Sequence, residues 1–192
     1  LTSVPTNITS DVQQLYMRYN NITEIAQADF NGKYSTLKAL YITNNQITSV
    51  QYGCFQGTQL RQIFLSYNSL DRIPDFCEVR MSLSQIVIEH NLITAVNPGD
   101  LGCLLFLSIL LLNNNPIAFI PNLKLYLWSL TVVGVTYLNP DGFVCCRDMA
   151  WLKEEFSFMV DDSIPCIWPN SSLGFTMANI SEAQLMDISC RE

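Results

Sequence analysis

One eleven-residue frame, recurring along two thirds of the chain, limits what this sequence can fold into. In Leu60-Arg61-Gln62-Ile63-Phe64-Leu65-Ser66-Tyr67-Asn68-Ser69-Leu70, apolar residues stand at positions one, four, six and eleven, and an asparagine at nine. The frame recurs as Val12, Leu15, Met17, Asn20, Ile22 and as Leu37, Leu40, Ile42, Asn45, Ile47. It returns as Leu83, Ile86, Ile88, Asn91, Ile93 and as Leu107, Leu110, Leu112, Asn115, Ile117. A weaker copy reads Leu130, Val133, Val135, with Asn139 one place late. Successive copies start 25, 23, 23, 24 and 23 residues apart. A turn of this length holds a short strand and a return segment, and it cannot bury its apolar face alone. Stacking turns builds a continuous core and a parallel sheet. Position nine is where the chain leaves the sheet, so its neighbours' backbone groups need partners. An asparagine both donates and accepts there. Asn20, Asn45, Asn68, Asn91 and Asn115 are therefore read as structural.

This period and pattern resemble the leucine-rich repeat. The resemblance implies an α/β-type horseshoe, a curved solenoid with about six short parallel strands and an irregular convex side. Three segments are expected: a lead-in or remnant of an N-terminal cap at 1–11, repeats at 12–138 and a cysteine-rich C-terminal cap at 139–192. Leu1-Thr2-Ser3-Val4-Pro5 through Ile8 looks like the stretch that follows an N-terminal cysteine cap in extracellular members. The cap's own cysteines are absent, so further sequence upstream is expected, with 1–11 as partial cover for the first turn.

At 192 residues the chain fits one domain with a sizeable core. Its hydrophobic content of 49% raises the question of a membrane span. The richest runs, 101–112 and 125–138, fall short of the roughly 20 residues that crossing a bilayer requires. No direct membrane insertion is expected in this segment. No signal peptide is visible ahead of Leu1, so processing or trimming is expected to have removed what preceded it. Net charge is −7 without a lysine or arginine cluster, which excludes nucleic acid and anionic membrane surfaces as main partners.

Seven cysteines and four glycosylation sequons, at Asn7, Asn21, Asn170 and Asn179, point to a secreted or cell-surface chain. Asn21 directly follows a ladder asparagine, where its side chain should face solvent. On the return segments, Phe30, Phe55, Phe76 and Leu101 are expected to fill the core. Cys54, Cys77 and Cys103 lie in return segments of neighbouring turns, and one must be left over. Either Cys77 bridges Cys103, leaving Cys54 as a buried thiol beside Phe55, or Cys54 bridges Cys77 one repeat away. Geometry decides between them.

From 139 onward the frame gives way to Asn139-Pro140, Cys145-Cys146, Trp151-Leu152, Cys166 and Cys190. This resembles the C-terminal cap of extracellular leucine-rich repeat proteins. The resemblance implies bridges Cys145–Cys166 and Cys146–Cys190, with Trp151 and Leu152 covering the last turn. Two departures are visible: the first two cysteines are adjacent where one residue usually separates them, and four residues follow the proline where two are common. Repeats and cap together resemble the ectodomains of variable lymphocyte receptors, Toll-like receptors and neuronal adhesion proteins. The short array makes variable lymphocyte receptors and related innate receptors the nearest in size and plan.

Side chains alternate along a strand, so positions three, five and seven face the concave side. Position five reads Tyr16, Tyr41, Phe64, Val87, Leu111 and Gly134, an apolar and aromatic stripe that nothing in the repeat requires. Position three reads Gln14, Ala39, Gln62, Gln85, Ile109 and Val132. Position eight, at the rim, reads Tyr19, Asn44, Tyr67, His90, Asn114 and Tyr137. Contiguous exposed apolar surface usually marks an interaction site, and tyrosine suits one. The expected ligand surface is therefore Tyr16, Arg18, Tyr19, Tyr41, Phe64, Tyr67, Val87, Glu89, His90 and Leu111, with Arg18, Glu89 and His90 setting polarity. The bland alternative is a self-stacking stripe or one covered by the cap. The apolar end near Leu111 and Val132 suits a homodimer instead.

Catalysis has little support. His90 is the one histidine, so Ser-His-Asp chemistry would depend on it alone. Adjacent Cys145-Cys146 suits disulfides better than zinc, which prefers separated cysteines. Glu154, Glu155, Asp161 and Asp162 fit no calcium motif and read as a solvated helix end and loop. No phosphate-binding glycine loop is present. No enzyme, metal or cofactor is expected. The resemblance puts first an immune receptor or pattern-recognition protein binding a protein or glycan ligand on a microbial surface or antigen. An adhesion or signalling ectodomain binding a host protein comes second, and a matrix-type structural role third.

Overall fold

The computed structural model describes residues 1–134, 142–156, 165–168, 174–176 and 179–190. Val135, Tyr137, Asn139-Pro140, Asp161, Asp162 and the sequon at Asn170 lie outside the described residues, as do the side chains of Glu154 and Glu155. In chain order the strands are β1 (Gln14–Tyr16), β2 (Glu24–Ile25), β3 (Ala39–Tyr41), β4 (Ser49–Val50), β5 (Gln62–Phe64), β6 (Gln85–Val87), β7 (Ile109–Leu111), β8 (Val132–Gly134), β9 (Phe143–Val144) and β10 (Cys166–Trp168). The helices are α1 (Gln27–Phe30), α2 (Pro98–Leu101), α3 (Ala150–Phe156) and α4 (Glu182–Asp187).

β1, β3, β5, β6, β7 and β8 form one six-stranded parallel sheet, each strand beside its sequence neighbour in the repeat. The register follows the frame: Leu40 pairs Leu15 and Ile63, and Ile86 pairs Ile63 and Leu110. The chain is a curved leucine-rich repeat solenoid closed by a C-terminal disulfide cap. Residues at frame positions four and six of the inner turns are fully buried, among them Leu40, Ile42, Ile63, Leu65, Ile86 and Ile88. Opposite the sheet, Phe30, Phe55 and Phe76 are also fully buried and run in file, with ring centroids 5.4 and 6.1 Å apart. Leu101 extends that file.

The asparagines tie turn to turn. Asn91 Oδ1 accepts from Leu70 N at 3.0 Å, while its Nδ2 donates to Leu65 O at 3.1 Å and Ile88 O at 3.2 Å. Asn68 and Asn115 repeat this pattern with Ile47 N and Ile93 N as donors, and Asn45 does so with Ile22 N. Asn115 is fully buried, and Asn91 and Asn68 nearly so. Each amide therefore satisfies groups on two turns, and at Asn68, Asn91 and Asn115 those groups are buried.

Cys77 bridges Cys103, with Cα atoms 5.7 Å apart, and Cys54 is a buried free thiol. Counting from the phenylalanine file explains the choice. Cys54 precedes Phe55 and turns into the core, whereas Cys77 follows Phe76 and stands half-exposed, like Cys103. Burial pushes the Cys54 thiol well above its ordinary range, which leaves it inert. In the cap, Cys145 bridges Cys166 and Cys146 bridges Cys190. The cap docks through Val144 N to Ala118 O at 2.8 Å and buries Phe143, Met149, Trp151, Leu152, Ile180 and Leu185. Its last helix, α4, is opened by a capping box in which Ser181 Oγ accepts from Gln184 N and Gln184 Oε1 from Ser181 N.

Removing one ladder amide strands a buried N–H and two carbonyls. Asn91→Ala is expected to lose about 2 kcal/mol of stability, read as a lower urea midpoint at unchanged slope. A variant as stable as the parent would refute the structural role.

Glu78 offers a second test. Its Oε1 accepts from Phe55 N at 3.3 Å, and its Oε2 is buried without a partner. Burial holds its carboxyl above the ordinary 4.5. A carboxyl whose folded value is raised stabilises the fold below the unfolded value and loses that contribution as pH climbs through the folded value. Glu78→Gln keeps the acceptor and removes the charge. It is expected to be more stable than the parent at neutral pH, with the advantage shrinking toward about pH 4. Urea midpoints for both proteins across that range check it, and parallel pH profiles would contradict it.

Candidate functional site

The concave face is built by alternation along three-residue strands. The middle residue of each strand turns into the core, and the first and third turn outward. Tyr16, Tyr41 and Phe64 are the third residues of β1, β3 and β5 and stand in strict register. Their rings are stacked in parallel, with centroids 4.5 Å apart in each pair and planes within 5° and 8°. This spacing is close to the strand separation of about 4.8 Å, so the sheet itself sets the stack. Tyr16 is 58% exposed, and Tyr41 and Phe64 are half-buried. The Arg18 guanidinium lies 4.8 Å from the Tyr41 ring centroid and 5.6 Å from that of Tyr16. Burial, and next the Tyr16 phenol, raise the Tyr41 phenol above its ordinary value, so it stays protonated at neutral pH.

Beside the ring file runs a glutamine row: Gln62 Nε2 donates to Gln85 Oε1 at 2.8 Å, and Tyr16 Oη donates to Gln14 Oε1 at 2.6 Å. Toward the C-terminal end the stripe closes. Val87 is only 6% exposed, which removes it from the expected ligand surface. It is a short side chain flanked in register by the longer Phe64 and Leu111. Leu111 is half-buried and leans over Gly134, where an added Cβ would meet its Cδ2 at 2.8 Å. Glu89 is committed to Asn113, whose Nδ2 donates to Glu89 Oε1 at 2.5 Å.

The rim carries a feature that frame counting did not reveal. Tyr19, Asn44, Tyr67, His90 and Asn114 all have φ between 52° and 57°. Position eight is thus a left-handed turn in every described copy, and each residue's N–H still donates to the next turn where that bond is formed, as Tyr67 N does to Glu89 O at 2.9 Å. Asparagine enters this region readily, whereas a bulky side chain there is an outlier. Tyr19 is nevertheless 79% exposed and Tyr67 51% exposed, and Tyr67 stacks on His90 at 4.1 Å. Strain of this kind concentrates at functional positions.

Frame counting also passed over position two. There Gln13, Lys38 and Arg61 form a row at the entry edge of the sheet, with Lys38 N bonding Gln13 O, Arg61 N bonding Lys38 O and Lys38 Nζ bonding Gln13 Oε1 at 3.1 Å. The same register arithmetic that picked out position five would have found them. Asn7, Asn21 and Asn179 are exposed.

Among the described residues no helix is long and apolar enough to cross a membrane.

Residues 10–70 match the leucine rich repeat family model. Asporin of Bos taurus is 32% identical over 126 residues, which cover 62% of this chain and 34% of asporin. Fibromodulin of Homo sapiens is 32% identical over 95 residues, 47% of this chain and 24% of its own length. Biglycan of Sus scrofa is 31% identical over 124 residues, 64% of this chain and 44% of its own. The chain thus spans only a quarter to under a half of these relatives. They are small leucine-rich repeat proteoglycans, so the expected nearness to variable lymphocyte receptors gives way to them. A solved chain in the octameric complex of Latrophilin 3, Unc5D and FLRT2, whose LRR component is FLRT2, shares the fold over 98% of this chain and 58% of that one. Its TM-score is 0.76 at 18% identity.

Tyr67→Asn restores the residue that Asn44 and Asn114 supply at the same position. It is expected to raise stability by about 1 kcal/mol, read by urea denaturation, and a loss of stability would show that the ring's contacts outweigh the backbone strain.

Three disulfides, the repeat register and these relatives identify the chain as an extracellular leucine-rich repeat protein with a disulfide-bonded C-terminal cap.

Proposed function

We propose that this domain binds a host protein on its concave face, as part of an adhesion or signalling ectodomain, and performs no catalysis. The observation that carries this is the outward-facing stacked file Tyr16, Tyr41 and Phe64 with Arg18 laid against it. Ring files of this kind supply large contact area with little entropy left to lose, since the rings already fix one another. The solved neighbour is itself held in an assembly of several proteins, which supports a protein partner. The immune-receptor version rests on shared architecture alone, and the relatives draw the reading toward host proteins. Sugar stacking within the file is confined to the outer face of Tyr16, because Tyr41 spends both ring faces on its neighbours. The rim residues Tyr19, Tyr67 and His90 border the same surface on its exit side.

The purified domain, run against host ectodomains, microbial cells, glycans and itself, tests this. A folded Tyr16→Ser, Tyr41→Ser, Phe64→Ser variant runs beside it. Losing about 1 kcal/mol at each ring weakens binding about a hundredfold, so the variant is expected to lose the host-protein signal. A variant that binds like the parent, or a parent that binds only microbial surfaces, would overturn the reading. Binding only to itself would move the site to the Leu111 and Val132 end.

A further inference from the structure

We infer that the first three turns of the concave face take an acidic, apolar-bearing stretch of polypeptide, seated edge-on against the ring file. This deepens the concave-face reading above and rests on it. Three observations carry it.

The first is which part of each ring is free. In a parallel stack at 4.5 Å, Tyr41 turns a face to Tyr16 and a face to Phe64, so the ring edges line the concavity. A ring's edge carries the positive side of its quadrupole and its face the negative side. Edges therefore favour carbonyl and carboxylate oxygens and the faces of other rings. A sugar that needs an open ring face finds only the outer face of Tyr16 in this file.

The second is charge. The chain as a whole is at −7, yet the ring file is bracketed by cations. Lys38 and Arg61 stand at position two, on the entry side, and Arg18 at position seven, beyond the rings. Five steps of the frame separate these positions, about 16 Å along an extended chain. No ion pair joins Arg18, Lys38 or Arg61 to a described carboxylate. The acids nearest in register are Asp11, ahead of the first frame, and Glu89, which keeps its charge in its bond to Asn113 and lies three strands from Arg18. Exposed charges act over a Debye length of about 8 Å at physiological salt, so these local cations outweigh the distant negative surface.

The third is hydrogen bonding. Beside the rings Gln62 is joined to Gln85 of the fourth turn by one amide hydrogen bond, a pair whose remaining groups can donate to and accept from a peptide backbone. Carboxylates at both flanks, an apolar residue on the ring edges and backbone against the amides form one complementary ligand.

Panning a random peptide library on the immobilised domain tests this. The baits are the parent, the Arg18→Glu, Lys38→Glu, Arg61→Glu variant and the Tyr16→Ser, Tyr41→Ser, Phe64→Ser variant, each shown folded by circular dichroism. The charge changes leave the buried core and the ring residues themselves in place, and the serine variant reads the rings separately. The parent is expected to recover peptides rich in Asp and Glu beside an apolar residue. A synthetic peptide of that consensus should bind the charge-reversed variant at least about tenfold more weakly, and the parent more weakly as salt rises. Recovered peptides with the charge of the input library, an acidic preference that survives charge reversal, or no recovery above a blank surface would overturn the inference. So would dextran sulfate binding parent and serine variant alike, which would mark a plain polyanion site. If the serine changes abolish the host-protein signal while charge reversal leaves it intact, only this inference fails. If both variants bind that protein like the parent, the concave-face reading fails with it.

Discussion

A buried carboxamide holding two turns at once is the interaction on which the rest depends. Strands of three residues make too few ladder bonds to fix a sheet by themselves. Asn45, Asn68, Asn91 and Asn115 add, at each exit from the sheet, bonds that reach the preceding turn as well as their own. The cost of leaving such groups unpaired inside the core makes the register close to unique. With that register fixed, residue types that recur along the array line up from turn to turn, whether inside the core or on its face. The phenylalanine file of the convex side and the tyrosine file of the concave side are two products of one constraint.

The concave file shows how a scaffold rule becomes a site. Strand spacing brings Tyr16, Tyr41 and Phe64 to stacking distance without further support, so the rings are organised before any partner arrives. The same register sets Lys38 beside Gln13 and Arg61 beside Lys38, and it carries Arg18 over the rings. The surface therefore changes character along the array. Its first three turns are aromatic and cationic, whereas from Val87 onward the face is closed by short or leaning side chains and by the Glu89 to Asn113 bond. The tyrosines at the left-handed rim positions add strain where asparagine would avoid it, on the border of the open part.

Features that follow from one-dimensional periodicity were legible in the sequence. The six strands, their order, the buried positions and the ladder asparagines all follow from counting frames. The cap bridges followed from resemblance. What was not legible depends on geometry that the period does not encode. Val87 is covered because of the lengths of its neighbours, which only the packed sheet reveals. The choice of Cys103 over Cys54 as the partner of Cys77 depends on which way each side chain turns from the phenylalanine file. The left-handed conformation at position eight was hidden because two asparagines hinted at it while two tyrosines and a histidine masked it. The entry-edge cations stand at position two, outside the alternation that marks the outward strand positions.

The most direct test of the account is hydrogen–deuterium exchange on the domain alone and with a host protein bound. The concave-face reading predicts new protection in the segments holding Gln13–Tyr19, Lys38–Asn44 and Arg61–Tyr67, with the phenylalanine side and the cap unchanged. Protection confined to the cap or to the convex segments around Phe30, Phe55 and Phe76 would contradict it.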